Sequence, residues 1–338
     1  MRLALFAILL ALLGAGAARA HPPYGLVADA RGNVYFSDLE AVWRLDPDGR
    51  LHLFRPATEG HHVHELALGP DGSIEGTVNS YDAATETFAG GLWRRFADGR
   101  ETWLLAPTPS PPRGLGLYAD ARGNRYTAQW PSQRDRRTML FRRSPDGRVG
   151  LLFGPRDEAA RFRQELVESV GGMAALPDGG MVFADGRALR RVNASGAAST
   201  LHEGSTRAGY RGISRAADGR ILASDFTGRT VIAVAANGAA EILYRETEPW
   251  LPTAAVMAGG RLLVLEANAE PREYVDRVRV IEVTGGRGRV VARPAFPITS
   301  PVPTPVPENG PGSGIIIVAA AFAAFAGVAF LGWRRLRS

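Results

Sequence analysis

The sequence has no cysteine and no lysine; all 40 of its basic residues are arginine. Without cysteine there is no disulfide framework and no thiolate nucleophile or zinc–thiolate site, so an exported domain must be held by its core alone. The absence of lysine reads as a base-composition bias rather than as chemistry. Also missing are a G-x-S-x-G nucleophile elbow, a phosphate-cradling glycine loop and the acidic spacing of an EF-hand. No catalytic residue can therefore be named from a motif.

Long apolar runs occur only at the two ends. Residues 1–20, MRLALFAILLALLGAGAARA, combine an early arginine, a short apolar stretch and a small-residue A-x-A site, the pattern of a cleaved signal peptide. The mature chain would begin at His21. Residues 315–333, IIIVAAAFAAFAGVAFLGW, carry no charge and, at about 1.5 Å per residue, are long enough to cross a bilayer core of roughly 30 Å. Arg334, Arg335 and Arg337 follow in the basic tail 334–338, which the positive-inside rule keeps cytoplasmic. Between domain and span, residues 294–314 are rich in proline and end in glycine, the composition of a semi-rigid stalk. Together these segments predict a single-pass type I protein of the cell membrane, with residues 21–293 on the extracytoplasmic side. Setting aside the arginines of the signal and tail, the formal charge falls from +6 to near +1, which argues against a nucleic-acid partner.

The remaining region repeats itself. GLVADARGNVYFSDLEAVWRLDPDGRLHLF from Gly25 and GISRAADGRILASDFTGRTVIAVAANGAAEILY from Gly212 share one plan: a short strand, a glycine turn, a strand ending in Asp, a third strand, a second glycine turn and a fourth strand. Such turns need positive φ, which glycine adopts at low cost. First-turn glycines at 32, 72, 123, 179, 219 and 260 count six units of about 40 residues or more. Four-stranded units in that number predict an all-β, six-bladed β-propeller. Two longer spacings require insertions, with candidates at 80–91, 131–138 and 154–172. The last carries Phe162, Leu166 and Val170 at helical spacing.

The stretch GLVADARGNVYFSDLEAVWRLDPDG resembles an NHL repeat, and the weaker copies resemble the six-bladed senescence-marker and gluconolactonase-type propellers. The resemblance covers all six units and implies the fold. It implies two functions: an NHL-like module binding a peptide, glycan or small molecule, or a metal-dependent lactonase. The lactonase-type E-G-P and P-N-G ligand motifs are replaced here by PYG at 23–25 and YRG at 210–212. The leading expectation is therefore a membrane-anchored binding module, with a gluconolactonase-type hydrolase as the alternative.

In a propeller the start of the first strand and the end of the second share one face, so matched positions form rings around the central channel. Tyr24, His64 and Arg211 fall in the mouth ring, and Glu65 replaces a glycine found in most other units. Asp38, Asp185, Asp225 and Glu266 end second strands as an acidic ring. All eight are candidates for a ligand-binding face. GHHVHE (60–65) places His62 and His64 on one side of an extended segment, so these imidazoles, with Asp38 as third ligand, form a candidate site for a transition metal such as zinc or copper, while calcium is the further divalent metal that the lactonase alternative would take.

Overall fold

The computed structural model describes residues 22–82, 87–109, 116–120, 122–129, 139–154, 170–247, 249–268 and 278–294. The segments expected to be a signal peptide (1–20), a membrane span (315–333) and a basic tail (334–338), with all of the expected stalk but residue 294, lie outside them. No helix among the described residues is long and apolar enough to cross a membrane.

The six first-turn glycines all adopt φ between 77° and 88°, the left-handed region their sequence positions call for. Asp29 and Asp120 show how the D-A-R-G-N turns close. Each accepts backbone N–H groups from the residues two and four further on, and the Asn33 or Asn124 side chain donates to its second oxygen. Each turn begins an antiparallel sheet. Blade 1 is β1 (Leu26–Ala28), β2 (Val34–Ser37), β3 (Val42–Leu45) and β4 (Leu51–Arg55). Blade 2 has five strands: β5 (His61–His62), β6 (Leu66–Leu68), β7 (Ile74–Asp82), β8 (Thr87–Arg95) and β9 (Glu101–Thr108). Blade 3 is β10 (Tyr118–Ala119), β11 (Arg125–Gln129), β12 (Met139–Arg143) and β13 (Val149–Phe153). Blade 4 is β14 (Val170–Ala175), β15 (Met181–Asp185), β16 (Ala188–Val192) and β17 (Ala198–Glu203). Blade 5 is β18 (Tyr210–Arg215), β19 (Ile221–Asp225), β20 (Thr230–Val234) and β21 (Ala240–Arg245). Blade 6 is β22 (Trp250–Ala258), β23 (Arg261–Asn268), β24 (Val278–Thr284) and β25 (Arg287–Ala292).

Innermost strands β1, β6, β10, β14, β18 and β22 follow one another around the channel, and β22 returns to β1. Every blade is built from contiguous chain, so the ring is closed by side-chain packing. Leu26, Val34 and Phe36 of blade 1 pack against Ala254, Leu263, Leu265 and Val280 of blade 6. Similar apolar clusters fill the other boundaries. Between blades 2 and 3 the described residues supply a smaller cluster, with Ala67, Leu92 and Leu117 buried. There the fully buried Glu75 takes over, held by Arg94 of its own blade at 2.7 Å and by both terminal nitrogens of Arg125 at 2.6 and 2.7 Å across the boundary.

The outermost strands share a feature the repeat pattern does not announce. In each, a residue is bulged out of register, Phe54, Leu104, Leu152, Leu201, Leu243 and Val291 in turn, and β9 carries a second shift between its pairings with Gly90 and Leu92. A bulge raises local twist and spoils an exposed edge for pairing with another chain. The residue just before it is exposed and apolar in four blades, as Leu53, Trp103, Ile242 and Val290.

Of the expected insertions, residues 80–91 mostly lengthen the β7–β8 hairpin, with Ser80 paired to Ala89 and Asn79 to Gly90. Residues 131–138 and 155–169, including the helical pattern of Phe162 and Leu166, lie outside the described residues. Val170 already belongs to β14.

Candidate functional site at the channel mouth

Inner strands approach each other so closely at the mouth that side chains have little room. A Cβ on Gly212 would stand 2.5 Å from the Thr253 carbonyl oxygen, and one on Gly172 would stand 2.6 Å from that of Arg211. Bulges in the inner strands fall on this ring too, between Val170 and Met173, between Tyr210 and Ile213, and between Pro252 and Ala254. The second carries Arg211. Bulges of this kind re-aim a side chain beside a site.

The GHHVHE segment is divided among several tasks. His61 and His62 form β5 and pair with Ser80 and Asn79 of β7. Val63 donates its N–H to the Leu39 carbonyl at 2.6 Å, and the His64 carbonyl accepts from Tyr24 N–H at 3.0 Å, so the segment stitches blade 2 to blade 1. Glu65 then enters the bore, with part of its surface left open to the channel. Its carboxyl accepts the Tyr118 phenol of blade 3 at 3.2 Å, and the Tyr24 phenol of blade 1 is near enough to favour its ionised form. Burial pushes Glu65 up to about 7 against the opposing pull of the two phenols. Burial, with the neighbouring Glu65 charge, raises Tyr24 and Tyr118 well above the usual phenol range, while Arg211 draws Tyr24 the other way. Side chains from blades 1, 2 and 3 thus meet at the mouth.

Tyr118 was not singled out by sequence reasoning, although a signal existed. Five positions before the turn glycine the other blades carry Val27, Ala67, Ala174, Ser214 and Ala255, so a tyrosine there intrudes into a ring of smaller residues. Arg211 instead faces solvent and stacks loosely over Phe226, 5.9 Å from the ring centre.

The acidic ring is not gathered into this site, because each member serves its own neighbourhood. Asp38, fully buried, accepts the N–H groups of Glu40 and Ala41 and the Trp43 indole N–H. Burial raises its pKa and these bonds counteract the rise. Asp225 accepts the N–H groups of Gly209 and Gly228, both at 2.8 Å, and Asp185 pairs with Arg190 at 3.0 Å. Glu266 is fully buried and meets Arg279 at 2.6 Å; burial moves it up to about 7.

The trio expected for a metal is not assembled either. The His62 and His64 rings stand 6.2 Å apart, but Asp38 is spent on its own turn. Among the described residues no three His, Cys, Asp or Glu side chains converge as a metal would need. At the mouth, one carboxyl engaged by two phenols, with an arginine electrostatically in reach, is a poor donor set for a divalent cation.

A shallow surface groove of about 300 Å³ lies between the outer strands of blades 1 and 2, lined by Arg44, His52, Phe54, Arg95 and Asp98 among others. Its basic side chains are already engaged, since Arg44 and His52 share Asp46 and Arg95 pairs with Glu101. The mouth is the better candidate.

No protein-family model and no curated relative matches the chain. Solved structures do. A luciferin-regenerating enzyme is 14% identical and superposes with a TM-score of 0.53, covering 81% of this chain and 95% of its own. A protein assigned as a gluconolactonase is 19% identical with a TM-score of 0.52, covering 78% of this chain and 89% of that one. Virginiamycin B lyase from Staphylococcus aureus is 15% identical over 85% and 87% of the two chains, with a TM-score of 0.48. The chain is a six-bladed β-propeller with the fold of the gluconolactonase-like structures, and at this identity the likeness extends to the fold alone.

Proposed function

We propose that the chain is an exported, ligand-binding propeller whose site is the channel mouth at Tyr24, Glu65, Tyr118 and Arg211. One observation carries the reading: polar side chains from three blades meet where the repeat is broken, around a carboxyl whose pKa burial lifts to about 7. On this reading residues 1–20 direct export, and 294–314 with 315–333 tether the domain to the cell membrane. Both ends of the described propeller, before β1 and after β25, lie on the face that carries the mouth, so the tether would leave from the ligand side. Calorimetric titration of the full-length chain with a panel of small polar molecules tests the site. Binding that is lost in Glu65→Ala and kept in Asp225→Asn is expected; no binding, or equal binding by both variants, would overturn it. Membrane fractionation and the mass of the mature chain test the topology.

A second reading, hydrolysis of gluconolactonase type, is favoured by the Glu65 carboxyl, whose pKa near 7 suits general acid–base work. The donor set speaks against its metal-dependent form. Lactone hydrolysis that needs added Ca²⁺ and collapses in Glu65→Ala would install this reading instead.

A further inference from the structure

The groove between the outer strands of blades 1 and 2 is second to the mouth, but the charges around it do not balance. Behind it one carboxylate serves two guanidiniums: Glu101 takes both Arg55 and Arg95 at 3.2 Å. On the blade 1 wall Asp46 holds Arg44 and His52, both at 2.8 Å. Asp98, on the blade 2 wall, accepts the Arg100 N–H at 2.9 Å and faces its guanidinium at 3.6 Å, so that pair cancels. Three arginines against two carboxylates leave one positive charge over, and His52 adds to it when protonated. The Arg55 side chain is 4% exposed, so water does little to offset the surplus. The bulge of β4 sets this up: Phe54 and Arg55 are both buried toward blade 2, where regular alternation would send one of them outward. Donor capacity is left over as well. Arg95 gives one terminal nitrogen to Glu101, and the other stands 3.7 Å from where a Cβ on Gly99 would lie, at the groove wall. Its Nε and the Arg55 Nη1 are buried without a partner among the described residues. Arg44 meets Asp46 through Nε, which leaves its fork of terminal nitrogens.

We propose that this groove is a second binding site, one that takes a small aromatic carboxylate, with the carboxylate on Arg95 and Arg44 and the ring on Phe54 and Leu53. It stands independently of the mouth. A guanidinium presents parallel N–H donors matched to the two oxygens of a carboxylate. A monoanion also answers a surplus of one charge, which a phosphate dianion would overshoot. The apolar half of the lining, Leu53, Phe54 and Ala97, asks for more than a bare ion. Phe54 is held edge-on to Tyr35 at 4.8 Å and lies beneath the Arg95 guanidinium at 5.5 Å, so the floor is fixed beside the charge. Leu53 is 52% exposed and gains by being covered. A volume of about 300 Å³ is at the small end of ligand-sized clefts, which suits a single ring.

The test is calorimetric titration of the full-length chain with benzoate, its uncharged isostere benzamide, acetate and inorganic phosphate. Benzoate should bind about tenfold more tightly than benzamide, the worth of a charge-assisted pair, and more tightly than acetate or phosphate. Arg95→Gln and Arg44→Gln should each remove most of the preference over benzamide, and Leu53→Ser should narrow the gap to acetate. Arg44 is partly exposed and its loss leaves Asp46 on His52, so an unchanged thermal midpoint in that variant assigns the effect to contact rather than folding. Equal affinity for benzoate and benzamide, or a preference that survives both arginine variants, would overturn the proposal. Acetate or phosphate binding as tightly as benzoate would overturn the ligand class. Benzoate binding lost in Glu65→Ala and kept in both arginine variants would move the ligand to the mouth, sinking this proposal while the binding reading stands. Silence from all four probes would also sink it, and the mouth would be judged by its own titration.

Discussion

The Tyr118 hydroxyl reaches the Glu65 carboxyl across the boundary between blades 2 and 3, at 3.2 Å, inside the channel. Among the described residues the same boundary has the smallest apolar cluster of the ring, and it holds the Glu75–Arg125 ion pair. Polar contacts take over there from the packing that joins the other blades, and the candidate site grows out of that exchange.

Glu65 should make the protein less stable as pH rises from about 4.5 to about 7. In the unfolded chain its carboxyl ionises near the ordinary value of 4.5, whereas in the fold it keeps its proton until about 7, so the native state binds more protons across that window. The loss should be about 1–3 kcal/mol, complete above the folded pKa. Glu266, raised to about 7 in the same way, adds a parallel loss. Urea denaturation at pH 4.5 and pH 8 should show a smaller difference for Glu65→Gln than for the parent; an unchanged difference would contradict the burial argument.

Tyr118→Phe removes the phenol that donates to the carboxyl and favours its ionised form, so the Glu65 pKa should rise further. Carboxyl-stretch infrared titration would read the change against Glu65→Gln as the blank. A fall in the midpoint would mean that the phenol does not donate to the carboxyl.

Glu75→Ala should cost about 3–5 kcal/mol, because it strands Arg94 and Arg125 at a thin boundary. Glu75→Gln keeps the volume and some hydrogen bonding and should cost less. A loss under about 1 kcal/mol for the alanine variant in chemical denaturation would show that blades 2 and 3 do not depend on the clamp.

Gly212→Ala places a methyl 2.5 Å from the Thr253 carbonyl oxygen and 2.7 Å from the Ala254 Cβ, both on the neighbouring inner strand. Blades 5 and 6 must part, and a loss of about 1–3 kcal/mol is expected from overpacking. The glycine's φ lies outside the left-handed region, so the cost comes from space alone. Alanine at Gly219, which has φ near 88° and nothing within 4 Å of its Cβ, separates backbone strain from crowding in the same thermal melts.

Asp38→Asn should lower stability by about 1–2 kcal/mol, since an amide replaces one acceptor of the Glu40, Ala41 and Trp43 donors with an NH₂ group. A stability unchanged by the substitution would reopen Asp38 as a ligand for His62 and His64.

The repeat was legible because a propeller writes each blade into contiguous chain: glycines at positive φ, aspartates that close turns and alternating strands recur at fixed offsets. The sequence alone therefore determined the blade count, the strand order and the mouth-ring addresses of Tyr24, His64, Glu65 and Arg211. It also marked Glu65 as a departure from glycine. It could not tell an acid that faces a ligand from one that closes its own turn, because Asp38, Asp185 and Asp225 share one offset and differ only in what surrounds them. Only the tertiary structure decided that Glu65 meets Tyr118 rather than Arg211, that Glu75 bridges two blades, and that the three candidate metal ligands do not converge. Those pairings join residues about 50 or more positions apart, or depend on bulges that shift a side chain's aim, and local periodicity carries no record of either.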